Sequence, residues 1–176
     1  PGVATIFYTM PAGCSASIVV TVVSSPSPIV GSSTVCAGST DPLSDGITGG
    51  TWTSSNPSYA TVGSSSGIVT GILPGVVTIT YSLGSCTTTK TITVNASPGA
   101  IAGTNHLCVR FSTLLTDPTS GGSWSSYNTL IAAVTGTGVW TGVSGGTATI
   151  SDTLPDGCYS VFGVTVNALP SSISGL

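Results

Sequence analysis

The sequence predicts an all-β protein built of tandem antiparallel β-sandwich domains, and two observations lead to this class. First, the chain repeats itself: Cys36 and Cys108, like Trp52 and Trp124, lie 72 residues apart (108 − 36 and 124 − 52). A fixed period of this length is the signature of an array of small domains. Second, each period holds about seven short segments rich in Val, Ile and Thr between Gly, Pro, Asn and Ser, which is typical of a sandwich or barrel.

The repeat divides the chain into four parts. Residues 26–97 and 98–169 each form a complete repeat. Residues 1–25 match the last third of a repeat, because PGVATIFYTMPAGC aligns with PGVVTITYSLGSC. Residues 170–176 match the opening of a repeat and are predicted to form the first strand of a following one. We therefore interpret the chain as a window of a longer array.

Strand segments follow one another through the first complete repeat with turn residues between them. In order, they cover residues 29–30, the stretch around Leu43, and residues 51–55, 59–62, 68–72, 76–83 and 87–95. Gly49-Gly50, Asn56-Pro57 and Pro74-Gly75 supply turns between them. The second repeat copies this pattern, losing one residue after the counterpart of Val62 and regaining one before Cys158. Because loops absorb such changes, both sites are predicted to be loops.

The chain carries almost no charge. Lys90 and Arg110 are its basic residues, the net charge is −3, and 4% of residues are charged, against about 25% in ordinary globular chains. Nucleic-acid binding is not expected, because counterion release needs clustered Lys and Arg. No run of 18 apolar residues occurs, so no membrane insertion is expected in this segment. Weak charge repulsion permits association with neighbouring repeats or with identical chains in a filament.

The cysteines follow the repeat and favour an oxidising, extracellular compartment. Within each complete repeat they lie 50 residues apart (86 − 36 and 158 − 108). We therefore predict one intradomain disulfide per repeat, Cys36–Cys86 and Cys108–Cys158. Cys14 occupies the position of Cys86, so its partner is expected outside the chain. The alternative is that these cysteines are buried free thiols.

The tryptophans divide into two classes. Trp52 and Trp124 recur at the same position of the repeat and are predicted to fill the core, because one indole spans the gap between two facing sheets. A sugar-stacking platform is the alternative for both. Trp140 corresponds to Val69 in the preceding repeat, so it is the candidate for an exposed or interface aromatic.

Residues for catalysis and metal binding are sparse. His106 is the only histidine and no serine lies in a G-x-S-x-G motif, so the chain is predicted to have no catalytic residues and not to be an enzyme. No cofactor or metal is expected, although a weak calcium site around Asp152 and Asp156 is the alternative. Thr153 lies in an Asp-Thr-Leu sequence similar to acceptors of O-linked sugars, the alternative being an unmodified hairpin residue.

One run of motifs resembles a known family. GGTWTSSNPSYATV, GIVTG and PGVVTITY in the first repeat, with their counterparts in the second, resemble the group 2 bacterial immunoglobulin-like domains. The pattern is carried by Trp52, Ser54, Asn56, Ala60, Val62, Gly67, Val69, Thr70, Gly71, Gly75, Thr78 and Ile79. In the second repeat it is carried by Trp124, Ser126, Asn128, Ala132, Val134, Gly138, Thr141, Gly142, Gly146, Thr149 and Ile150. The charge-poor, Ser/Thr-rich background is similar to tandem repeats of very large Bacteroidota surface proteins, including gliding-type adhesins.

The resemblance implies tandem immunoglobulin-like sandwiches at the cell surface. The expected function is a non-catalytic stalk or filament segment of a large extracellular adhesin. A distant tip of that adhesin would bind surface glycans or other cells. Two alternatives are a self-assembling extracellular fibre subunit and a carbohydrate-binding accessory module of a secreted enzyme. Fold alone does not separate these functions.

Overall fold

The computed structural model describes residues 1–170, so the predicted strand at 170–176 lies almost wholly outside the described residues. The chain forms two compact units, Pro1–Asn95 and Ala96–Leu176. Residues 1–170 fold into strands joined by turns and loops, without a helix. Accordingly, none of them belongs to a helix long and apolar enough to cross a membrane. The predicted all-β class is confirmed.

Seven strands of the first unit build a sandwich. They are β3 (Thr34–Cys36), β4 (Thr40–Pro42), β5 (Thr51–Ser54), β6 (Ala60–Val62), β7 (Ile68–Gly71), β8 (Gly75–Leu83) and β9 (Cys86–Asn95). One sheet has the order β3-β9-β8-β5 and the other the order β4-β7-β6. The strands before them, β1 (Gly2–Thr9) and β2 (Ser15–Val22), pair only with each other, as an antiparallel hairpin.

One edge of this sandwich differs from the predicted antiparallel arrangement. β3 runs parallel to β9, whereas the other pairs are antiparallel. The cause lies in the first segment, where Val30 forms only an isolated bridge to Ser44. Gly31, with φ 133°, then redirects the chain, and a Cβ there would clash with Leu43. The predicted strand at 29–30 is therefore interrupted, and the chain continues as β3 beside β9.

The second unit repeats this topology. Its strands are β10 (His106–Cys108), β11 (Ser112–Leu114), β12 (Ser123–Ser126), β13 (Ala132–Val134), β14 (Val139–Gly142), β15 (Gly146–Thr153) and β16 (Tyr159–Asn167). The sheets have the orders β10-β16-β15-β12 and β11-β14-β13, with β10 parallel to β16. Both length differences from the first unit fall where they were predicted: in the loop before β14 and in the hairpin between β15 and β16.

The core of each unit lies between its two sheets. In the first unit it contains Ile29, Val35, Leu43, Trp52, Ala60, Val69, Val77, Ile79, Tyr81, Ile92 and Val94. In the second it contains Ile101, Leu115, Ala132, Trp140, Ile150, Val164 and Val166, with Trp124 and other half-buried side chains packed against it. Alternate residues of the long strands enter these cores because successive side chains of a strand point to opposite faces. Burial of these side chains is the main stabilising contribution.

The Trp-x-Ser-x-Asn motif builds the connection that follows β5. The Ser54 hydroxyl donates to the Ala60 carbonyl at 2.7 Å, and Asn56 Oδ1 accepts from the Ser58 amide at 3.1 Å. These bonds satisfy backbone groups that the turn would otherwise leave unpaired. In the second unit Asn128 Oδ1 accepts from the Leu130 amide in the same way. The motif residues therefore specify the turn and position the indole beside it.

Trp140 lies in the core, whereas the sequence predicted an exposed or interface position for it. Its side chain has 0% of its surface exposed, and its Nε1–H donates to the Thr104 carbonyl at 3.2 Å. Its counterpart Val69 is equally buried. The expectation was wrong because a change from valine to tryptophan along the sequence does not reveal which face of the strand the residue occupies.

The strand register excludes both predicted intradomain disulfides. Cys36 lies opposite Asn95, the last residue of β9, whereas Cys86 is the first residue of that strand. Nine residues at about 3.3 Å each separate the two positions by about 30 Å. A disulfide requires Cα atoms within about 7 Å. Cys36–Cys86 is therefore not formed.

The second unit has the same geometry. Cys108 lies opposite Asn167 at the end of β16, and Cys158 directly precedes the start of that strand. Cys108–Cys158 is excluded for the same reason. Among the described residues, Cys36 and Cys158 are each disulfide-bonded. Cys14, Cys86 and Cys108 are free thiols.

Peptide mapping of the unreduced protein tests this register. We expect no peptide pair linking Cys36 to Cys86 or Cys108 to Cys158, because each pair spans the length of a strand. Cys14 and Cys108 are exposed and should react readily with an alkylating reagent, whereas Cys36 and Cys158 should react only after reduction. A fully reduced sample serves as control. Recovery of a Cys36–Cys86 peptide would show that the register of β9 is wrong.

Arg110 offers a second test, because it adopts a left-handed backbone conformation. Its φ is 74°, and the corresponding residue of the first unit is Gly38, with φ 84°. A non-glycine residue in this region costs about 1 kcal/mol. We expect Arg110→Gly to raise the free energy of unfolding by up to about 1 kcal/mol in urea denaturation, less the entropy cost of glycine. Gly38→Arg, as the matched control, should lower it, and a destabilised Arg110→Gly variant would contradict the assignment.

Candidate functional site

The second unit carries a polar cleft of about 360 Å³. Its walls come from the end of β11 and the loop that follows, the turn between β13 and β14, and one residue each of β12 and β15. The lining residues are Leu114, Leu115, Thr116, Asp117, Thr119, Ser120, Gly121, Gly122, Trp124, Gly136, Thr137 and Asp152. Two carboxylates, several hydroxyls and one indole thus face the same space.

The first unit has a cleft at the same place, but a tyrosine occupies part of it. That cleft measures about 190 Å³ and is lined by Trp52, Asp45 and Tyr81 among others. The Tyr81 hydroxyl donates to the Ile47 carbonyl at 2.6 Å and accepts from the Gly50 amide at 2.7 Å. Its ring packs against Trp52 with centroids 4.6 Å apart. The tyrosine therefore fills part of the cleft, and its hydroxyl bonds the backbone of Ile47 and Gly50.

Asp152 stands in the second unit where Tyr81 stands in the first. Trp52 pairs with Tyr81 across β5 and β8, and Trp124 pairs with Asp152 across β12 and β15. The side chain of Asp152 is 2% exposed, and its Oδ1 has no hydrogen-bond partner among the described residues. The carboxylate occupies the space that a Cβ on Gly122 would need. A glycine at 122 is thus required for Asp152 to lie where it does.

Asp117 supplies the other carboxylate of the cleft. Its Oδ1 accepts from the Thr119 amide at 2.6 Å, closing a turn, while its Oδ2 is buried without a hydrogen-bond partner in the described structure. Its counterpart Asp45 binds the Ile47 amide at 2.8 Å in the same manner. The turn is therefore common to both units. In the second unit a second carboxylate, that of Asp152, lines the same cleft as this aspartate, whereas Asp45 lines its cleft alone in the described part of the chain.

Burial raises the pKa of the Asp152 carboxyl above its ordinary value. The negative charge of Asp117 raises this pKa further, and a hydrogen bond from the Thr153 amide opposes both effects. The chain's two basic residues, Lys90 and Arg110, do not line the cleft. The arrangement concentrates negative charge at a place where no side-chain cation compensates it.

The other candidate residues lie away from this constellation. His106 is exposed on β10, where its Nδ1 lies 3.0 Å from Asn105 Oδ1. Asp156 caps a turn, its Oδ1 accepting from the Cys158 amide at 3.0 Å. Thr153 ends β15 half-buried, so its glycosylation stays a prediction. Among the described residues, no cluster of three or more His, Cys, Asp or Glu residues is present.

Sequence reasoning paired Asp152 with Asp156 and missed Asp117. Asp117 is 35 residues from Asp152 along the chain (152 − 117) and reaches it only through the pairing of β12 with β15. A usable signal was present in the repeat. Asp117 recurs from Asp45 at the 72-residue period, and Asp152 takes the place of Tyr81 once the one-residue deletion is counted.

Comparison with solved structures finds similar folds at low identity. The S-layer protein SbsC domains 4 and 5 are 20% identical with a TM-score of 0.39, covering 84% of this chain and 100% of that one. Invasin, a bacterial integrin-binding protein, is 16% identical with a TM-score of 0.48, covering 94% of this chain and 45% of that one. Likenesses at this level do not extend to function.

Two comparisons at the level of sequence are closer. The chain is 36% identical over 132 residues to Ice-binding protein 1 of Shewanella frigidimarina (strain NCIMB 400), a match that covers 63% of this chain and 15% of that protein. The chain therefore spans a small part of this relative. Residues 18–94 match the family of bacterial Ig-like domains (group 2). This match bears out the resemblance for that segment.

The electrostatics of Asp152 give a pH-dependent prediction. Because its pKa is raised in the folded state, that state holds the proton more tightly than the unfolded chain does. Stability should therefore fall as pH rises from the ordinary Asp pKa of 3.8 through the raised pKa of the folded state. Asp152→Asn should lack this fall and be the more stable protein above that window. Urea denaturation across pH measures this.

Two further variants define the cause of the pH dependence. Asp117→Asn should weaken the fall without removing it, since burial remains, and Asp45→Asn should leave it unchanged as the matched control. Equal pH dependence in wild type and Asp152→Asn would contradict the assignment.

Proposed function

We propose that this chain is a structural, non-catalytic segment of a large repetitive extracellular surface protein, serving as a stalk or filament of the adhesin type. The observation that carries this proposal is the repetition of one sandwich topology in both units. The polar cleft, by contrast, has its second carboxylate in one unit only. Selection for a shared architecture with divergent clefts fits a mechanical role of the repeat.

A location outside the cell, on its surface, is part of the proposal. The bonded cysteines Cys36 and Cys158 support it, because disulfides persist in oxidising compartments. The match of residues 18–94 to bacterial Ig-like domains supports it as well. Membership in a Bacteroidota adhesin is the finer form of the proposal and rests on the charge-poor, Ser/Thr-rich composition.

The division into repeats at 1–25, 26–97, 98–169 and 170–176 belongs to the same proposal. The hairpin of β1 and β2 supports the assignment of residues 1–25 to the end of a preceding repeat. Ile6 and Tyr8 align with Ile79 and Tyr81, yet they are 57% and 71% exposed where their counterparts are buried. The hairpin thus carries the inward pattern of β8 and β9 without the strands that would cover it.

The proposed partners are neighbouring repeats and, in a filament, identical chains. In each complete unit the two cysteines lie beside opposite ends of the last strand, too far apart to bond each other. We therefore propose that these cysteines link different repeats rather than closing single ones. Surface glycans or other cells would be bound by a distant tip.

A self-assembling fibre is the second candidate, and the near absence of charge favours it, because weak charge repulsion permits identical chains to associate. The third candidate, a carbohydrate-binding module that uses Trp140, loses its key residue because that indole is buried.

Surface accessibility tests the proposed function. An antibody against residues 26–169 should label intact producing cells, and external protease should remove the signal without lysis. Signal confined to lysed cells would contradict the extracellular assignment. Electron microscopy of material sheared from the surface should show single thin threads. Regular multi-chain fibres would favour the self-assembling alternative.

A further inference from the structure

The cleft of the second unit holds two carboxylate oxygens that lack protein partners. They are Asp117 Oδ2 and Asp152 Oδ1, each with almost no solvent contact. A buried polar atom without a partner costs about 1–3 kcal/mol, and more when it is charged. Two such atoms from different strands and loops that face one cavity are therefore unfavourable unless something binds between them.

In the described structure the first unit has one such oxygen, Asp45 Oδ2, where the second unit has two. There Tyr81 takes the place of Asp152, and its hydroxyl bonds both Ile47 and Gly50. The second unit exchanges this neutral, fully bonded group for a carboxylate and leaves a cavity about 170 Å³ larger (360 − 190). The exchange creates both the space for a ligand and the charge to hold it.

The chemistry of the lining selects the ligand. Hard divalent cations prefer carboxylate, carbonyl, hydroxyl and water oxygens, and calcium accepts irregular arrangements of six to eight of them. Beside the two carboxylates, the walls offer hydroxyls from Thr116, Ser120 and Thr137. A cation would also relieve the repulsion between Asp117 and Asp152.

We propose that the second unit binds one divalent cation of the calcium class, held by Asp117 and Asp152 and completed by neighbouring oxygens and water. Two carboxylates form a minimal set, so the dissociation constant should lie at about 10⁻⁴–10⁻³ M, in the range of extracellular calcium modules. The first unit, with Tyr81 in the cleft, should not bind. The cation would stiffen the loop between β11 and β12 against β15.

Terbium and calcium binding to the intact chain tests the proposal. Tb³⁺ occupies calcium sites, and Trp124 lines the cleft, so excitation of the indole should produce Tb³⁺ luminescence that millimolar Ca²⁺ displaces. Calorimetry with Ca²⁺ alone should give one equivalent bound. Absence of calcium binding at 10 mM, about ten to a hundred times the expected dissociation constant, would overturn the proposal.

Variants locate the site. Asp152→Asn and Asp117→Asn should each weaken Ca²⁺ binding at least tenfold, about 1.4 kcal/mol. Asp152→Tyr, which installs the residue of the first unit, should abolish binding. Asp45→Asn is the matched control and should leave the affinity unchanged. Equal loss in Asp45→Asn, or unchanged affinity in both asparagine variants, would show that the ions bind elsewhere.

Folding of the variants is judged independently of the ion. Asn is nearly isosteric with Asp, so without calcium both asparagine variants should keep a cooperative melting transition, and that of Asp152→Asn should lie at or above the wild-type temperature. In the wild type, 5 mM Ca²⁺ should raise the transition temperature, and in Asp152→Asn it should not. A calcium-induced rise of the same size in Asp152→Asn would count against the site.

Discussion

The fold of both units depends on the packing of a glycine turn directly against the indole ring of a tryptophan. Trp52 lies beneath Gly67, where a Cβ would come within 3.0 Å of the ring and 2.5 Å of the Leu43 carbonyl. Gly138 stands in the same relation to Trp124 and Leu115. The close approach of backbone to aromatic ring fixes the turn before β7 or β14, and with it the separation of the two sheets.

Within this constraint the two units distribute aromatic volume differently. The first places Tyr81 against Trp52 on one side of the core and a small Val69 on the other. The second loses the tyrosine at Asp152 and gains a fully buried Trp140 in place of the valine. A close-packed interior tolerates such an exchange when total volume is conserved. The side that lost volume is the side on which the polar cleft opened.

Much of the fold could be predicted from the sequence because the same strand pattern occurs in two copies that can be compared. The period and the alternation of β-branched residues specify seven strands per unit, and a one-residue deletion, compared between copies, marks a loop. The parallel edge strand β3 could not be predicted, since it depends on the redirection of the chain at Gly31. The cysteine pairing failed for a related reason. A constant spacing of Cys36 and Cys86 along the chain says nothing of their positions along β9.

The candidate site was only partly predictable. Asp152 was named from the sequence as a possible calcium ligand, but its partner Asp117 becomes visible only when β12 and β15 are placed side by side. Trp140 likewise differs from its counterpart Val69, and its side chain is buried in the core instead of lying at the surface. A difference between copies of a repeat therefore shows which positions have changed. The strand register is needed to tell whether the changed side chain lies in the core or at the surface.

The parallel pairing of β3 with β9 has a mechanical consequence. β3 follows the entrance of the chain into the first sandwich, and β9 is the strand by which the chain leaves it. Tension applied along the polypeptide draws these two strands past each other in opposite directions. Their backbone hydrogen bonds are then loaded together in shear instead of being peeled apart one after another. The shortest strand of the sheet, β3, is therefore loaded in the direction in which its pairing best resists rupture.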